Sequence, residues 1–301
     1  MITLKKSLSA INKGKTTCED KRIIRIVAMI RLIEELSMMG IHPVIIGDMA
    51  LAQVLYQSKL PFIKGIGGIN SLDMLWPKTD GFPFSHILRA TLNDAIKRVN
   101  DDYHIEIVRD LTITDTRIPL VFNAVHSEDS VLNFKVNITI NGDTRMGKVN
   151  STCLHNVKFA CDSLGHQLVK KLTEISTDSS VIKAKDLLDL YQLSMIKDTV
   201  LYSSLTYSTV GIRKTLNYGY SDIKPFENFG ILLRRKGTLK SAYEQLNVYP
   251  LDSKVQKPSF ERVYSRVCKF VEPFVSGQYK VDKCGWDFVR GEWYTFGKNT
   301  D

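Results

Sequence analysis

The stretch that most limits how this chain can fold runs from Val44 to Trp76. It reads V-I-I-G-D-M-A-L-A-Q-V-L-Y, a linker containing Lys64, Gly65, Gly67 and Gly68, and then N-S-L-D-M-L-W. Val44–Ile46 is an apolar β-branched run that breaks at Gly47, so it reads as a short strand ending in a turn. From Met49 to Tyr56 the spacing turns helical, with Met49, Leu51, Ala52, Leu55 and Tyr56 sharing a face. Ser71 to Trp76 is a second strand that holds one charged residue, Asp73. Such an order suits a phosphate and a metal ion. Backbone N–H groups at the helix start receive the phosphate, and the carboxylate receives the ion.

Metal-assisted phosphoryl or nucleotidyl transfer asks for more than this. It needs two carboxylates two positions apart on a strand, so that both face the same divalent ions. Gly47 supplies the turn and Asp73 one carboxylate, but the residue two further on is Leu75. Asp73 therefore has two readings at this level, a metal ligand or a strand-end carboxylate accepting backbone N–H bonds. The K-G-I-G-G segment at Lys64–Gly68 fails the G-x-x-x-x-G-K-[ST] pattern and reads as a flexible hairpin or loop.

A second group of candidates lies in I-K-A-K-D-L-L-D-L-Y-Q-L. On a helix, Asp186 and Asp189 are one turn apart with Lys185 beside them, while Leu187, Leu188 and Leu190 form the buried stripe. Two acids with a basic neighbour suit a nucleotide ribose, a metal ion or the deprotonation of a hydroxyl. A solvated acidic helix face is the other reading. None of the six histidines forms an i,i+4 pair around an acid, which excludes a zincin-type site. Ser163-Leu164-Gly165-His166 lacks the G-x-S-x-G setting of a serine hydrolase. Trp286, Trp293 and Tyr294, among Lys283, Arg290 and Lys298, offer either a stacking surface for single-stranded nucleic acid or a packed terminal segment.

Composition narrows the class of partner. A formal net charge of +9 favours an anionic one, although the cations are dispersed and only Arg234-Arg235-Lys236 forms a tight run. Five cysteines without a C-x-x-C pair argue against both a disulfide framework and a zinc site. M-I-T-L-K-K-S-L lacks the apolar core of a signal peptide, and no apolar run reaches membrane-spanning length. The expectation is a soluble, cytoplasmic protein with no membrane partner.

Along the chain, residues up to about Cys18 read as a basic arm. Lys21 to Met39 is an amphipathic helix stopped by Gly40, with Pro43 beyond it. Pro77 to Pro83 is a turn-rich loop and Phe84 to Asn100 a helix. Strands follow at Tyr103–Val108, Ile118–Val125 and Phe134–Ile140, the last closed by Asn141-Gly142. Helical spacing then takes over at Leu154–Ile175, Ser180–Ile196, Thr199–Asn217, Thr238–Leu246 and Ser259–Phe274. The fold class is α/β (α+β), with a small mixed sheet in residues 1–150 and a mainly helical domain with a C-terminal tail in residues 151–301.

These pieces together resemble the AbiEii/AbiGii-type nucleotidyltransferase-like toxins. I-I-G-D-M-A-L-A-Q-V-L-Y is similar to that family's glycine turn and helix opening. Asn70-Ser71-Leu72-Asp73-Met74-Leu75 resembles its Arg, hydroxyl and Asp-x-Asp stretch, and Lys185-Asp186-Leu187-Leu188-Asp189-Leu190-Tyr191 its Arg/Lys-Asp-Leu-x-Asp-Leu helix. F-E-R-V-Y-S-R-V-C-K-F-V-E-P-F is similar to the last helix, so the ordered resemblance covers residues 20 to 290. It implies a DNA-polymerase-β-like nucleotidyltransferase core followed by a helical domain. It also implies a toxin of an abortive-infection toxin–antitoxin pair, using an NTP and Mg²⁺ to modify an RNA or protein acceptor, with a cognate antitoxin as partner.

Residue by residue, the resemblance assigns Asp73 to the metal and Asp73 and Asp186 to catalysis. It assigns Gly47, Asp48, Ser71, Lys185 and Asp189 to nucleotide binding. Asp48 replaces a small residue after the glycine, Ile69 an expected Arg, Leu75 the second metal carboxylate and Asn137 the third. Two functions follow: nucleotidyl transfer by an active toxin, or a catalytically weakened relative that binds nucleotide, RNA or a protein partner without transfer.

Overall fold

The computed structural model describes residues 18–57, 60, 63–65, 69, 71–77, 90–92, 94–98, 106–111, 117–125, 131–141, 150–154, 157–161, 167–168, 171–172, 175, 183–196, 230–231, 233–250, 256–275 and 284–295. The readings made for the basic arm before Cys18, the loop after Pro77, the Asn141-Gly142 turn and the helix at 199–217 lie outside the described residues. The chain divides into two compact units. The first comprises Met1–Gln53, Gly67–Arg145 and Val149–Asp162; the second comprises Val54–Ile66, Met146–Lys148 and Ser163–Asp301.

The first unit opens with α1 (Cys18–Met38), β1 (Val44–Ile46) and α2 (Gly47–Gln57), the last running on across the division. β3 (Ser71–Pro77), β4 (Glu106–Leu111), β5 (Arg117–Val125), β6 (Val131–Asn141), β7 (Asn150–Leu154) and β8 (Val157–Cys161) follow, after β2 (Ile63–Gly65) of the second unit. Met29, Leu32, Ile33 and Leu36 recur at helical spacing on α1 and are all buried. The helix stops where the glycine predicted it would. Gly40 takes φ +77°, its N–H reaches the Ser37 carbonyl, and the Ile41 N–H reaches the Leu36 carbonyl at 2.9 Å. That double bond pattern satisfies carbonyls left open at a helix end. Glu35, 3% exposed, lies 3.5 Å from Arg31 on its own helix and 3.9 Å from Arg98 in the helical residues 94–98.

Seven strands form one mixed sheet in the order β4-β5-β6-β3-β1-β8-β7. β3 is antiparallel to β1 and parallel to β6, and β8 is parallel to β1. The sheet therefore continues past residue 150, into a stretch whose spacing had suggested one helix from Leu154 to Ile175. Leu154, Val157, Ala160 and Cys161 do fit a helical face, but Phe159 and Cys161 also alternate as a strand does, and both are buried. Pairing with the apolar β1 decides in favour of the strand.

In the second unit, β2 pairs antiparallel with β9 (Val248–Pro250). Helices α3 (Ala184–Ser194), α4 (Lys236–Gln245) and α5 (Phe260–Val275) pack on one another, and β10 (Cys284–Asp287) pairs with β11 (Glu292–Thr295). α5 follows its pattern closely. Val263, Val267, Phe270 and Val271 are buried, while Glu261, Arg262, Ser265 and Lys269 are exposed. Trp286 packs on Phe270 with ring centroids 4.9 Å apart, and Trp293 stacks on the same ring at 6.2 Å. The C-terminal tryptophans thus serve packing, and the Trp286 N–H is satisfied by the Ser194 carbonyl at 2.7 Å. Among the described residues, no helix is long and apolar enough to cross a membrane.

Candidate functional site

Antiparallel pairing places Ile46 opposite Asp73, so the chain turns at Gly47 directly beside the carboxylate. Gly47 has φ +70°, a left-handed conformation that costs an L-residue about 1–2 kcal/mol. A Cβ there would also lie 3.1 Å from Asp73 Oδ2, so the backbone passes close under the acid. Both demands select glycine. α2 begins at this residue, which brings the partial positive charge of a helix N-terminus to the turn. Asp48 sits in the first turn of α2, half-exposed, and adds a formal negative charge at the same end.

β3 alternates as a strand with one face in the core. Leu72, Met74 and Trp76 are buried, while Ser71, Asp73 and Leu75 are half-exposed on the other face. Ser71 Oγ donates to Asp73 Oδ2 at 2.9 Å, which fixes the carboxylate against the Gly47 turn. Leu75 occupies the position two residues on, where a second ligand would share that face. Strand register shows what else reaches it. Asn137 of β6 pairs with Asp73, and Thr139 with Leu75; on the other side Val44 of β1 pairs with Leu75. Neither flanking strand contains an Asp or Glu, since β1 is V-I-I and β6 is V-L-N-F-K-V-N-I-T-I-N. Among the described residues, no group of three or more His, Cys, Asp or Glu could hold a metal ion. Residues Gly47, Asp48, Ser71 and Asp73 are thus brought together at one turn, with a single carboxylate on the strand.

The other candidates gather in the second unit. Asp186 and Asp189 lie one turn apart on α3, but they are not a solvated face: their side chains are 11% and 2% exposed. Lys171 reaches both, with Nζ 3.3 Å from Asp186 Oδ1 and 3.2 Å from Asp189 Oδ2. One half-buried cation shared by two buried acids is a compensated electrostatic group, strongly destabilised if the cation is removed. Lys185, the basic neighbour expected beside the acids, is exposed. Sequence reasoning missed Lys171, which lies 15 residues before Asp186 on a separate helical segment. Its only trace is a Lys-Lys pair in L-V-K-K-L, which carries no periodic link to α3.

The far end of α3 is also held. The Arg266 guanidinium donates to Ser194 Oγ at 2.8 Å and to the Ser194 carbonyl at 2.9 Å, and it also donates to the Phe288 carbonyl. A cation at the C-terminus of a helix is favoured by the helix dipole. Acids in the first turns and an arginine at the last carbonyls therefore both suit the direction of α3.

No protein-family model matches this chain, and no curated protein matches it by sequence. Solved structures do. A candidate nucleotidyltransferase from H. pylori is 15% identical, with 83% of this chain and 92% of that one covered and a TM-score of 0.46. The nucleotidyltransferase toxin MenT4 from Mycobacterium tuberculosis H37Rv is 12% identical, with 94% and 99% covered and a TM-score of 0.46. Likeness this distant leaves the chemistry to be read from the residues themselves.

Proposed function

We propose that this chain is a nucleotidyltransferase-type protein that binds an NTP at the Gly47 turn and passes a nucleotide to an RNA or protein acceptor, as a toxin of the AbiEii type does. The observation that carries the reading is the contact between Gly47 and Asp73. A glycine turn at a helix N-terminus receives phosphate on its N–H groups, and a carboxylate fixed beside it receives a phosphate-bound cation. Asp73 is the Mg²⁺ ligand in this reading. Gly47, Asp48 and Ser71 shape the nucleotide end of the site. The Asp186–Asp189 pair of the second unit, with Lys171 as its counter-charge, belongs in this reading to the fold of that unit and not to the nucleotide site.

A second reading is favoured by Leu75 and by the absence of acids from β1 and β6: the turn binds nucleotide without transferring it. One assay separates the two. The protein is incubated with labelled NTPs, Mg²⁺ or Mn²⁺ and total RNA, beside an Asp73→Ala control. Label transferred by the unchanged chain and lost in the variant supports transfer; equal label in both sinks it. Nucleotide bound but never transferred supports the second reading. The toxin role is tested separately by growth on expression, with arrest expected for the unchanged chain and relief for Asp73→Ala.

A further inference from the structure

Transfer chemistry of this kind uses a pair of divalent ions held between two or more carboxylates, which clamp the attacking and leaving oxygens. The face of β3 does not fit that pair. Its three half-exposed positions are Ser71, Asp73 and Leu75, and only one of them is an acid. One Asp73 oxygen already accepts the Ser71 hydroxyl at 2.9 Å. The register positions flanking Asp73 are Ile46 and Asn137, and those flanking Leu75 are Val44 and Thr139, so no neighbouring strand replaces what Leu75 lacks.

Asp48 follows Gly47 in the first turn of α2 and Asp73 lies opposite Ile46 in the register, so two carboxylates belong to this turn. A triphosphate that brings its own cation presents less negative charge to those carboxylates than a bare one does. Mg²⁺ is commonly held by one or two carboxylates together with substrate phosphates, which one aspartate and a bound nucleotide can supply.

We infer that the Asp73 site takes a single divalent cation, delivered as the nucleotide–metal complex, and neither binds an ion alone nor holds a second ion beside the first. The inference rests on the nucleotide-binding reading above and adds the stoichiometry and order of binding to it. Among the described residues, Leu75 is what sets the limit of one.

The test is equilibrium dialysis of the full chain with Mn²⁺, read by electron paramagnetic resonance, with and without α,β-methylene ATP or α,β-methylene GTP. Without nucleotide, Mn²⁺ is expected to stay in its free aqueous form. With nucleotide, one Mn²⁺ is expected per nucleotide retained, and removal of Mn²⁺ is expected to weaken nucleotide retention about tenfold or more. Leu75→Asp is expected to raise the count to two, and Asp73→Asn to abolish the dependence of nucleotide retention on Mn²⁺. Circular dichroism checks that each variant keeps its fold, and the counts on the unchanged chain stand even if Leu75→Asp does not.

Two Mn²⁺ per nucleotide in the unchanged chain overturn the inference. So does Mn²⁺ retained without nucleotide and released by Asp73→Asn or Asp48→Asn. The metal arm is read without nucleotide, so it can fail while nucleotide binding stands. If neither nucleotide is retained under any condition, the nucleotide-binding reading falls, and this inference falls with it.

Discussion

Asp73 and the Asp186–Asp189 pair are both carboxylate groups near helix N-termini, and they are built in opposite ways. The pair on α3 is almost fully buried, and its charge is met from within the chain by Lys171 at 3.2–3.3 Å. Asp73 is half-exposed, leans on a glycine backbone and takes a neutral hydroxyl from Ser71. Burying charge is costly unless a fixed counter-charge accompanies it, and a group so compensated has little electrostatic work left for a ligand. The difference teaches that the acids most protected from solvent are the ones the fold depends on. The more exposed acid is the one that the proposed function gives to a ligand.

The contrast breaks most visibly at Lys171. Lys171→Met leaves two buried carboxylates without their cation and is expected to cost about 3–5 kcal/mol of unfolding free energy, measured by urea denaturation. A loss under about 1 kcal/mol would show the acids to be solvated and the comparison false. Gly47→Ala comes next: the φ of +70° alone costs about 1–2 kcal/mol, and the new Cβ presses on Asp73, so nucleotide retention should fall with stability. Asp73→Asn should leave stability within about 0.5 kcal/mol, as expected of a half-exposed site, while removing metal-dependent nucleotide retention. A stability loss as large as that of Lys171→Met would make Asp73 a structural acid.

The smallest effect calibrates the others. Lys236 pairs with Glu261 at 2.8 Å on the surface, and its hydrogen bond holds the Glu261 carboxyl below the usual carboxylate range. A lowered folded value means that the stability this pair contributes is present above the unfolded carboxylate range and is lost as pH falls through the lowered one. Lys236→Ala should raise the Glu261 titration midpoint toward its ordinary value in a nuclear magnetic resonance titration, with the melting temperature nearly unmoved. An unmoved midpoint would remove Lys236 as the cause.

Much of the first unit was legible because its signals are local. The apolar run V-I-I with its break at Gly47, the helical spacing from Met49, and an apolar run holding one charged residue at Asp73 pointed to β1, α2 and β3. Alternation also put Leu75 on the face of Asp73, so the missing ligand was visible before the register was known. What stayed hidden depends on pairing across distance. β8 read as helix because Leu154, Val157, Ala160 and Cys161 fit the helical period while Val157, Phe159 and Cys161 alternate as a strand, and only the parallel partner β1 decides between them. Lys171 stayed hidden because an ion pair spanning 15 or 18 positions leaves no rhythm in a sequence. Trp286 and Trp293 had two readings, and only their contacts to Phe270 and Ser194 choose packing.

The bonds at Ser194 bear on how the molecule is made. The carbonyl that ends α3 waits for Arg266 and Trp286, 72 and 92 residues further along the chain. A nascent polypeptide that already displays Asp186 and Asp189 still lacks the groups that close the far end of their helix. Completion of the acidic helix is thereby tied to synthesis of Arg266 and Trp286, and a ribosome that stalls before Trp286 leaves this element without its last anchor.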